Sequence, residues 1–376
     1  MIYIAKYADF KNIKSNYEEL INEVNTKGYD CLIINDQAFS DEDKETFFHT
    51  MIEITSVCEV PVIAEFPITH FEDMKKLYYA NTKFIIADDK TNVDDSVIED
   101  GKKRFGEKLV VKKDTFKANA LVFNNVENID YASIKKDGDF YLIDNTEASI
   151  DVHALKNSLD EKGFETKCLK PAIEWKDLKK NADGLIPVIV TDYKNGNLLM
   201  MAYMNEEAYY NTFKTGLMSY YSRSRQSQWI KGETSGHFQY IKSMKADCDL
   251  DTLLCSVHQI GVPCHTGRET CFFNDILKDE SIEKNPSKIL TDLYKVVEDR
   301  KANPKEGSYT NYLFDKGLDK ILKKVGEEAC EIVIASKNEE PKEIKYEIAD
   351  FLYHLSVLMV EKGVTWEEVA IELSNR

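Results

Sequence analysis

No apolar run in the 376-residue chain approaches the length of a membrane span, so no segment is expected to cross a bilayer. A signal peptide is missing as well, since Met1-Ile2-Tyr3-Ile4 opens as a strand. Eight cysteines in a chain this long are too few for a secreted disulfide framework, and a reducing cytoplasm is the expected compartment. There is no basic excess. The 49 Lys and Arg stand against 66 Asp and Glu, a net charge of −17, which argues against a nucleic-acid partner. A small phosphorylated substrate, held by a few local cations, remains compatible with that charge. No Gly-rich loop appears where a strand pattern of the N-terminal segment meets a helix pattern, which weakens a phosphate-cradle reading there. What is left is an ordinary globular composition, 43% hydrophobic and 11% aromatic, long enough for two or three domains.

Three segments differ in character. Residues 1–171 alternate short apolar runs with amphipathic stretches. Strands are expected at Ile2–Ala5, Cys31–Ile34, Val60–Ala64, Phe84–Ala87, Leu109–Val111, Ala120–Phe123 and Phe140–Ile143, with helices such as Tyr17–Val24 and Phe71–Tyr79 between them. That alternation predicts parallel βαβ units. Residues 172–275 are richer in strand-like alternation, and the runs 184–190 and 198–204, joined through Asn195-Gly196-Asn197, predict a β-hairpin. Residues 276–288 are charged, carry Pro286 and read as a linker. Residues 289–376 read as all helix, with long periodic runs at Leu318–Lys337 and Glu343–Glu361, Pro341 between them and Gly363 as a stop.

The richest chemistry lies at Asp247-Cys248-Asp249-Leu250-Asp251, followed by Cys264-His265-Thr266-Gly267 and Cys271. As a strand, the first run puts Asp247, Asp249 and Asp251 on one face and Cys248 on the other. Hard oxygen ligands suit Mg²⁺, and soft thiolates suit Zn²⁺. Three thiolates without an evident fourth ligand fit a zinc with one position open, the catalytic pattern. Two other readings stay open: a solvated edge strand, and a closed structural site completed by Cys255. Cys31, Cys58, Cys168 and Cys330 read as small buried hydrophobes.

Upstream, Ser222-Arg223-Ser224-Arg225 read as a strand aligns Arg223 and Arg225 on one face, where guanidinium forks suit phosphate oxygens and where a plain solvated face is the alternative. The loop from Trp229 to His237 packs Lys231, Glu233, Thr234, Ser235 and His237 between glycines, a density expected of a binding site. In the last segment Glu328 and Glu331 are three apart, as are Glu347 and Asp350, so each pair shares a helix face. Facing one another across a helix pair, the four would cage Mg²⁺; on a solvated face they would be ordinary surface acids.

The motifs Gly184-Leu185-Ile186-Pro187, Ala202-Tyr203-Met204-Asn205, Ser222-Arg223-Ser224-Arg225, Lys231-Gly232-Glu233-Thr234-Ser235-Gly236-His237, Asp247-Cys248-Asp249 and Cys264-His265-Thr266-Gly267 closely resemble phosphoribosyl-AMP cyclohydrolase of histidine biosynthesis. The resemblance implies Zn²⁺ held by Cys248 of one subunit and Cys264 and Cys271 of the other, Mg²⁺ at Asp247, Asp249 and Asp251, and a homodimer. It implies opening of the adenine ring between N1 and C6 by a zinc-bound hydroxide, with His265 or His237 moving protons and Arg223, Arg225 and Lys231 holding phosphate or ribose. The run from Leu293-Tyr294 through Gly307-Ser308-Tyr309-Thr310, Lys323-Lys324-Val325-Gly326-Glu327-Glu328 and Ala349-Asp350-Phe351-Leu352-Tyr353-His354 resembles phosphoribosyl-ATP pyrophosphohydrolase, an all-α nucleotide pyrophosphohydrolase. It implies release of pyrophosphate by a water activated at Mg²⁺ on Glu328, Glu331, Glu347 and Asp350. The product of the last segment would then be the substrate of the middle one. A reading of a different class is a structural zinc module on a helical interaction domain, without turnover.

Residues 28–36, 60–64 and 104–111 faintly resemble the cyclase subunit of imidazole glycerol phosphate synthase, a (β/α)₈ barrel. Ala64-Glu65-Phe66-Pro67 stands where that family has its phosphate loop, the first-strand catalytic Asp has no counterpart, and Asp114 alone matches the second. The expected fold is therefore a non-catalytic, half-barrel-like α/β segment used for assembly or regulation, then a mostly β domain, then an all-α domain.

Overall fold

A computed structural model describes residues 1–13, 15–36, 40–87, 95–106, 110–112, 118–120, 140–144, 151–277, 288–338 and 341–374. The chain divides into two compact units, Met1–Asp275 and Ile276–Arg376.

The first unit opens with β1 (Tyr3–Asp9), α1 (Phe10–Ile13), α2 (Tyr17–Thr26), β2 (Cys31–Asn35), α3 (Asp41–Val57), β3 (Val62–Phe66), α4 (Phe71–Tyr79), β4 (Phe84–Ala87), α5 (Asp95–Phe105), β5 (Val110–Lys112), β6 (Ala118–Ala120), β7 (Phe140–Asp144) and α6 (Val152–Glu161). All seven strands pair in parallel, in the order β5-β4-β3-β2-β1-β7-β6. The sequence expects a half-barrel-like α/β segment here. Among the described residues the strand order is cyclic, with the last strand returning beside the first and no pairing between β5 and β6. Strands of three to seven residues explain how so many units fit in so short a segment. Asp114 lies outside the described residues, as does most of the expected 276–288 linker.

Both faces of β1 to β4 are buried, as parallel strands flanked by crossover helices require. Ala5, Cys31, Ile33, Ile63 and Ile86 pack on one side. Ile4, Leu32, Ile34, Val62 and Ile85 meet Phe47, Met51, Met74 and Leu77 of the helices on the other. α6 is tied down by a buried ion pair, Lys156 Nζ to Asp30 Oδ1 at 2.6 Å, while Asp30 Oδ2 accepts from the backbone of Ile4 at 2.7 Å. Removing one partner of such a pair leaves a buried charge and typically costs about 3–5 kcal/mol.

The rest of the unit contains a short 3₁₀ turn at Trp175–Asp177, then β8 (Ile186–Asp192), β9 (Leu198–Met204), α7 (Glu206–Thr215), β10 (Ser219–Ser222), β11 (Ser227–Ile230), β12 (Gln239–Ala246) and β13 (Leu253–Gln259). The expected hairpin is present: β8 and β9 pair antiparallel, and Asp192 Oδ1 accepts from the amides of Lys194 and Asn195 to start the turn. The four-stranded order is β12-β13-β8-β9, with β10 and β11 as a separate pair. Trp175, Ile186, Val188, Val190, Tyr209, Tyr220, Cys255 and Val257 form the core on one face. On the other face Leu254, Ile189 and Met201 lie side by side across β13, β8 and β9, each more than a third exposed.

The second unit is helical: α8 (Ile289–Ala302), α9 (Tyr309–Lys316), α10 (Leu318–Ala335), α11 (Pro341–Lys362) and α12 (Trp366–Ser374). Pro341 is the first residue of α11 rather than a spacer before it, the position where a missing amide hydrogen costs nothing. Gly363, at φ +70°, ends α11 as expected. Val297, Leu313, Ile321, Val357 and Val360 make the small core between α8, α9, α10 and α11. No described helix is long and apolar enough to cross a membrane.

Candidate active sites

The Asp247–Asp251 run is not a strand. It is the turn between β12 and β13, with Leu250 in the left-handed region at φ +67°. Asp247 accounts for the difference, because its Oδ1 accepts from the amides of Asp251 and Thr252 at 3.0 and 3.2 Å and so closes the loop. The grouping expected from alternation nevertheless holds, since Asp247, Asp249 and Asp251 each offer an oxygen within 4.8 Å of the others. Slight desolvation pushes the Asp247 carboxyl up, and the two backbone donors outweigh it and hold it below its ordinary value.

Cys264 and Cys271 meet at the opposite end of β13. Cys264 sits in a tight turn, its carbonyl accepting from Gly267 and its Sγ 3.0 Å from Thr266 Oγ1. The Cys271 amide donates to Leu199 at the start of β9. The Thr266 hydroxyl and amide draw the Cys264 thiol below its usual value, while burial and the neighbouring Cys264 raise that of Cys271. The two thiols of the pair are thus shifted in opposite directions, with Lys231 on the same cavity wall partly offsetting the rise at Cys271. Cys248 lies one full strand away, and the three sulfurs do not converge within one described chain.

Cys255 is settled by the fold. Its side chain is fully buried in the β8–β13 core, and burial lifts its thiol to about 12. The closed four-thiolate alternative therefore has no fourth ligand there. Cys255→Ser should lose about 1–3 kcal/mol of stability in urea unfolding, from an unsatisfied buried hydroxyl, yet keep its metal content. Cys31 is buried as expected, Cys58 and Cys168 are half-buried, and Cys330 is exposed.

A cavity of about 360 Å³ opens beside Cys264 and Cys271, lined also by Trp229, Lys231, Ser235, His237 and His265. Lys231 is buried there, and desolvation lowers its ammonium against the pull of the two thiols. The His237 ring lies over Gly261, where an added Cβ would stand 2.7 Å from it. Glu233 and Thr234 are exposed on the neighbouring loop. Arg223 and Arg225 occupy the β10–β11 turn rather than a strand face. The β10 strand ends at Ser222, whose Oγ accepts from the Arg225 amide at 3.2 Å. Arg223 lies 4.0 Å over the ring of Tyr203, and Arg225 5.9 Å over that of Trp229, the cavity wall.

In the second unit α10 and α11 bring Glu328, Glu331 and Glu347 within 4.8 Å of one another, as their spacing predicts. Asp350 stands outside that group and is exposed. Desolvation first, then the charges of Glu331, Glu328 and Asp350, raise the Glu347 carboxyl, as expected where acidic groups crowd together. Glu327 turns outward to Lys323 and Lys324, and the Lys324 hydrogen bond lowers its carboxyl. Two residues given no role from sequence complete the cage. Lys324 Nζ lies 3.4 Å from Glu328 Oε1. The buried His354 has Nδ1 3.0 Å from the Asp350 carbonyl and 3.5 Å from Glu328, and Nε2 3.3 Å from the Tyr309 hydroxyl. Because a carbonyl only accepts, Nδ1 carries the hydrogen, and Nε2 faces the Tyr309 hydroxyl. Helical spacing carries the missed signal: 347, 350 and 354 share one face, as do 324, 328 and 331.

Residues 200–273 match the family model for phosphoribosyl-AMP cyclohydrolase, and residues 290–376 that for phosphoribosyl-ATP pyrophosphohydrolase. The histidine biosynthesis bifunctional protein of Thermoanaerobacter pseudethanolicus is 53% identical over 207 residues, which span 52% of this chain and 96% of that protein. Its namesake in Caldanaerobacter subterraneus is 52% identical over 204 residues, 54% of this chain and 98% of the relative. That of Bacillus subtilis is 46% identical over 200 residues, 53% and 95%. The chain belongs to this bifunctional histidine-biosynthesis family. Both family domains are hydrolases, so the reading without turnover is set aside. The family's cyclohydrolase domain holds the cysteine cavity, and its pyrophosphohydrolase domain holds the glutamate cage. Neither family model reaches residues 1–199.

Proposed function

We propose that the chain hydrolyses phosphoribosyl-ATP at the glutamate cage of its last domain and opens the adenine ring of the resulting phosphoribosyl-AMP at the cysteine cavity. The observation that carries this reading is the pairing of two separate ligand sets, each inside the domain whose family performs that reaction. Domain limits of 172–275 and 289–376 accompany it, with residues 1–171 as a non-catalytic module.

Cys264 and Cys271 suit Zn²⁺, because two thiols share one cavity wall and Thr266 draws the Cys264 thiol below its usual value. When bound, zinc supplies a hydroxide nucleophile near neutral pH. The chain's own groups do the rest. Lys231 places a buried cation on the cavity wall, where a substrate phosphate or ribose finds it. Trp229 offers a flat apolar face to the base, braced from behind by Arg225. His237, fixed against Gly261, and His265, exposed at the rim, are the groups able to carry protons. Ser235 joins them on the cavity wall, with Glu233 and Thr234 on the loop beside it.

A homodimer completes the thiolate set in this reading. The apolar stripe of Leu254, Ile189 and Met201 gives a second copy a face to cover, and Cys248 projects from the turn at one end of the same sheet. Asp247, Asp249 and Asp251 form an oxygen set suited to Mg²⁺. In the last domain Mg²⁺ fits Glu328, Glu331 and Glu347, with Asp350 adding charge from one helical turn away. Lys324 is placed to meet phosphate oxygens beside the cage, and His354 fixes the Glu328 carboxylate.

The direct test supplies phosphoribosyl-ATP and follows pyrophosphate and the ring-opened product separately. Pyrophosphate should appear first, with ring opening after a lag. Ring opening without prior pyrophosphate would refute the assigned order.

A further inference from the structure

The N-terminal module grips the middle domain at two places, one on the strands that lead to the cysteine cavity and one at the end of α7, hydrogen-bonded to those strands. The first is Glu59, in the loop before β3. Its carboxylate accepts from Tyr193, Lys242 and His258, all from the middle domain, with His258 Nδ1 at 3.1 Å. Burial works against the Glu59 charge, but those three donors outweigh it and hold the carboxyl down at about 2. Asn25 fixes the loop from behind: it accepts from the Glu59 amide at 2.8 Å and donates to the Val57 carbonyl at 3.1 Å, and its own carbonyl receives Lys242 Nζ at 3.1 Å.

The second grip is His153 of α6. Its ring is wedged between Gly28 of the module and Gly216 of the middle domain, where an added Cβ on either glycine would stand 2.5 Å from Nε2. Asn157, one turn further along α6, donates to the Lys214 carbonyl at 2.9 Å. Gly216 in turn accepts from the Ile241 amide of β12 at 3.0 Å. Both grips therefore end on the β12–β13 pair.

Those strands feed the cavity directly. Three residues after His258 comes Gly261, the seat of the His237 ring, and three further on comes Cys264. Gln259 is itself locked to Gln239 at 2.8 Å, and Gln239 accepts from the buried Tyr220 hydroxyl.

We propose that residues 1–171 serve as a positioning module for the ring-opening site, holding β12 and β13 through Glu59 and His153. The proposal rests on the placement of ring opening in the middle domain. No described residue of the module lines the cavity, so Glu59 is a positioning residue and not a catalytic one. A displacement on the order of 1 Å between proton carrier and thiolate pair is enough to slow a reaction by about a hundredfold.

The test uses the full chain with Glu59→Ala, His153→Ala and the conservative Glu59→Gln. Hydrogen exchange across residues 239–259, ring opening of added phosphoribosyl-AMP and pyrophosphate release from phosphoribosyl-ATP are measured on each. Glu59→Ala should raise exchange in β12 and β13 and lower the kcat of ring opening at least about tenfold, with KM changed less than about twofold. His153→Ala should do the same more weakly. Glu59→Gln, which still accepts from Lys242, should recover most of the rate. Pyrophosphate release should stay at the wild-type rate in all three. Faster exchange with an unchanged kcat overturns the proposal, as does a Glu59→Ala chain unaltered in both. A parallel fall of the two activities overturns it too, because positioning of the middle domain spares the C-terminal helices. If the wild-type chain fails to open the ring, the domain assignment falls rather than the grip.

Discussion

Cys264→Ser is expected to abolish ring opening of phosphoribosyl-AMP, by at least about a thousandfold, and to strip zinc from the protein, while pyrophosphate release continues at the wild-type rate. Serine keeps the shape of the side chain but not the sulfur, whose thiol Thr266 draws below its usual value. Cys271 alone, its thiol raised by burial, is a poor single anchor. Mixing extends the experiment to the dimer. Cys248→Ser and Cys264→Ser chains are each inactive, but a mixed dimer keeps one site with all its thiolates. Random reassortment should restore about a quarter of the wild-type rate. Zinc retained by Cys264→Ser would sink the ligand assignment. No recovery on mixing, with exchange of subunits verified, would sink the shared site while leaving Cys264 as a ligand.

Residue type was easier to read from the sequence here than local conformation. The three aspartates do converge, but through an Asx-type turn closed by Asp247 and not through strand alternation. A strand reading needs a cross-strand partner, and β12 and β13 stop pairing at Ala246 and Leu253. The same error displaced Arg223 and Arg225, because Ser222 ends β10 by capping the following turn. The glutamate cage was legible because helical spacing fixes faces without reference to the rest of the fold. Lys324 and His354 share that spacing but were given no role from the sequence. Cys255 could not be separated from the other cysteines by sequence, since only burial against Val188 and Val257 marks it as core. The grips of Glu59 and His153 were out of reach for a different reason: each joins residues more than 60 positions apart with no periodic signature.

Glu328→Gln should stop pyrophosphate release from phosphoribosyl-ATP, by at least about a hundredfold, yet leave turnover of added phosphoribosyl-AMP intact. Glu328 is the one buried member of the cage, held at 5% exposure between Lys324 and His354. Glutamine fills the same space and can still accept from both neighbours, so the helices should stay folded. What it removes is one of three charges gathered at a single point. With fewer negative charges the cage should bind Mg²⁺ more weakly, and the residual rate should need a higher Mg²⁺ concentration to saturate. Glu327→Gln is the matched control. That side chain is half-buried but turned to Lys323 and Lys324, and its loss should cost less than about threefold. Pyrophosphate release retained by Glu328→Gln would sink the cage as the reacting site. Equal damage from the two substitutions would instead point to Lys324, which both glutamates share, as the group that matters.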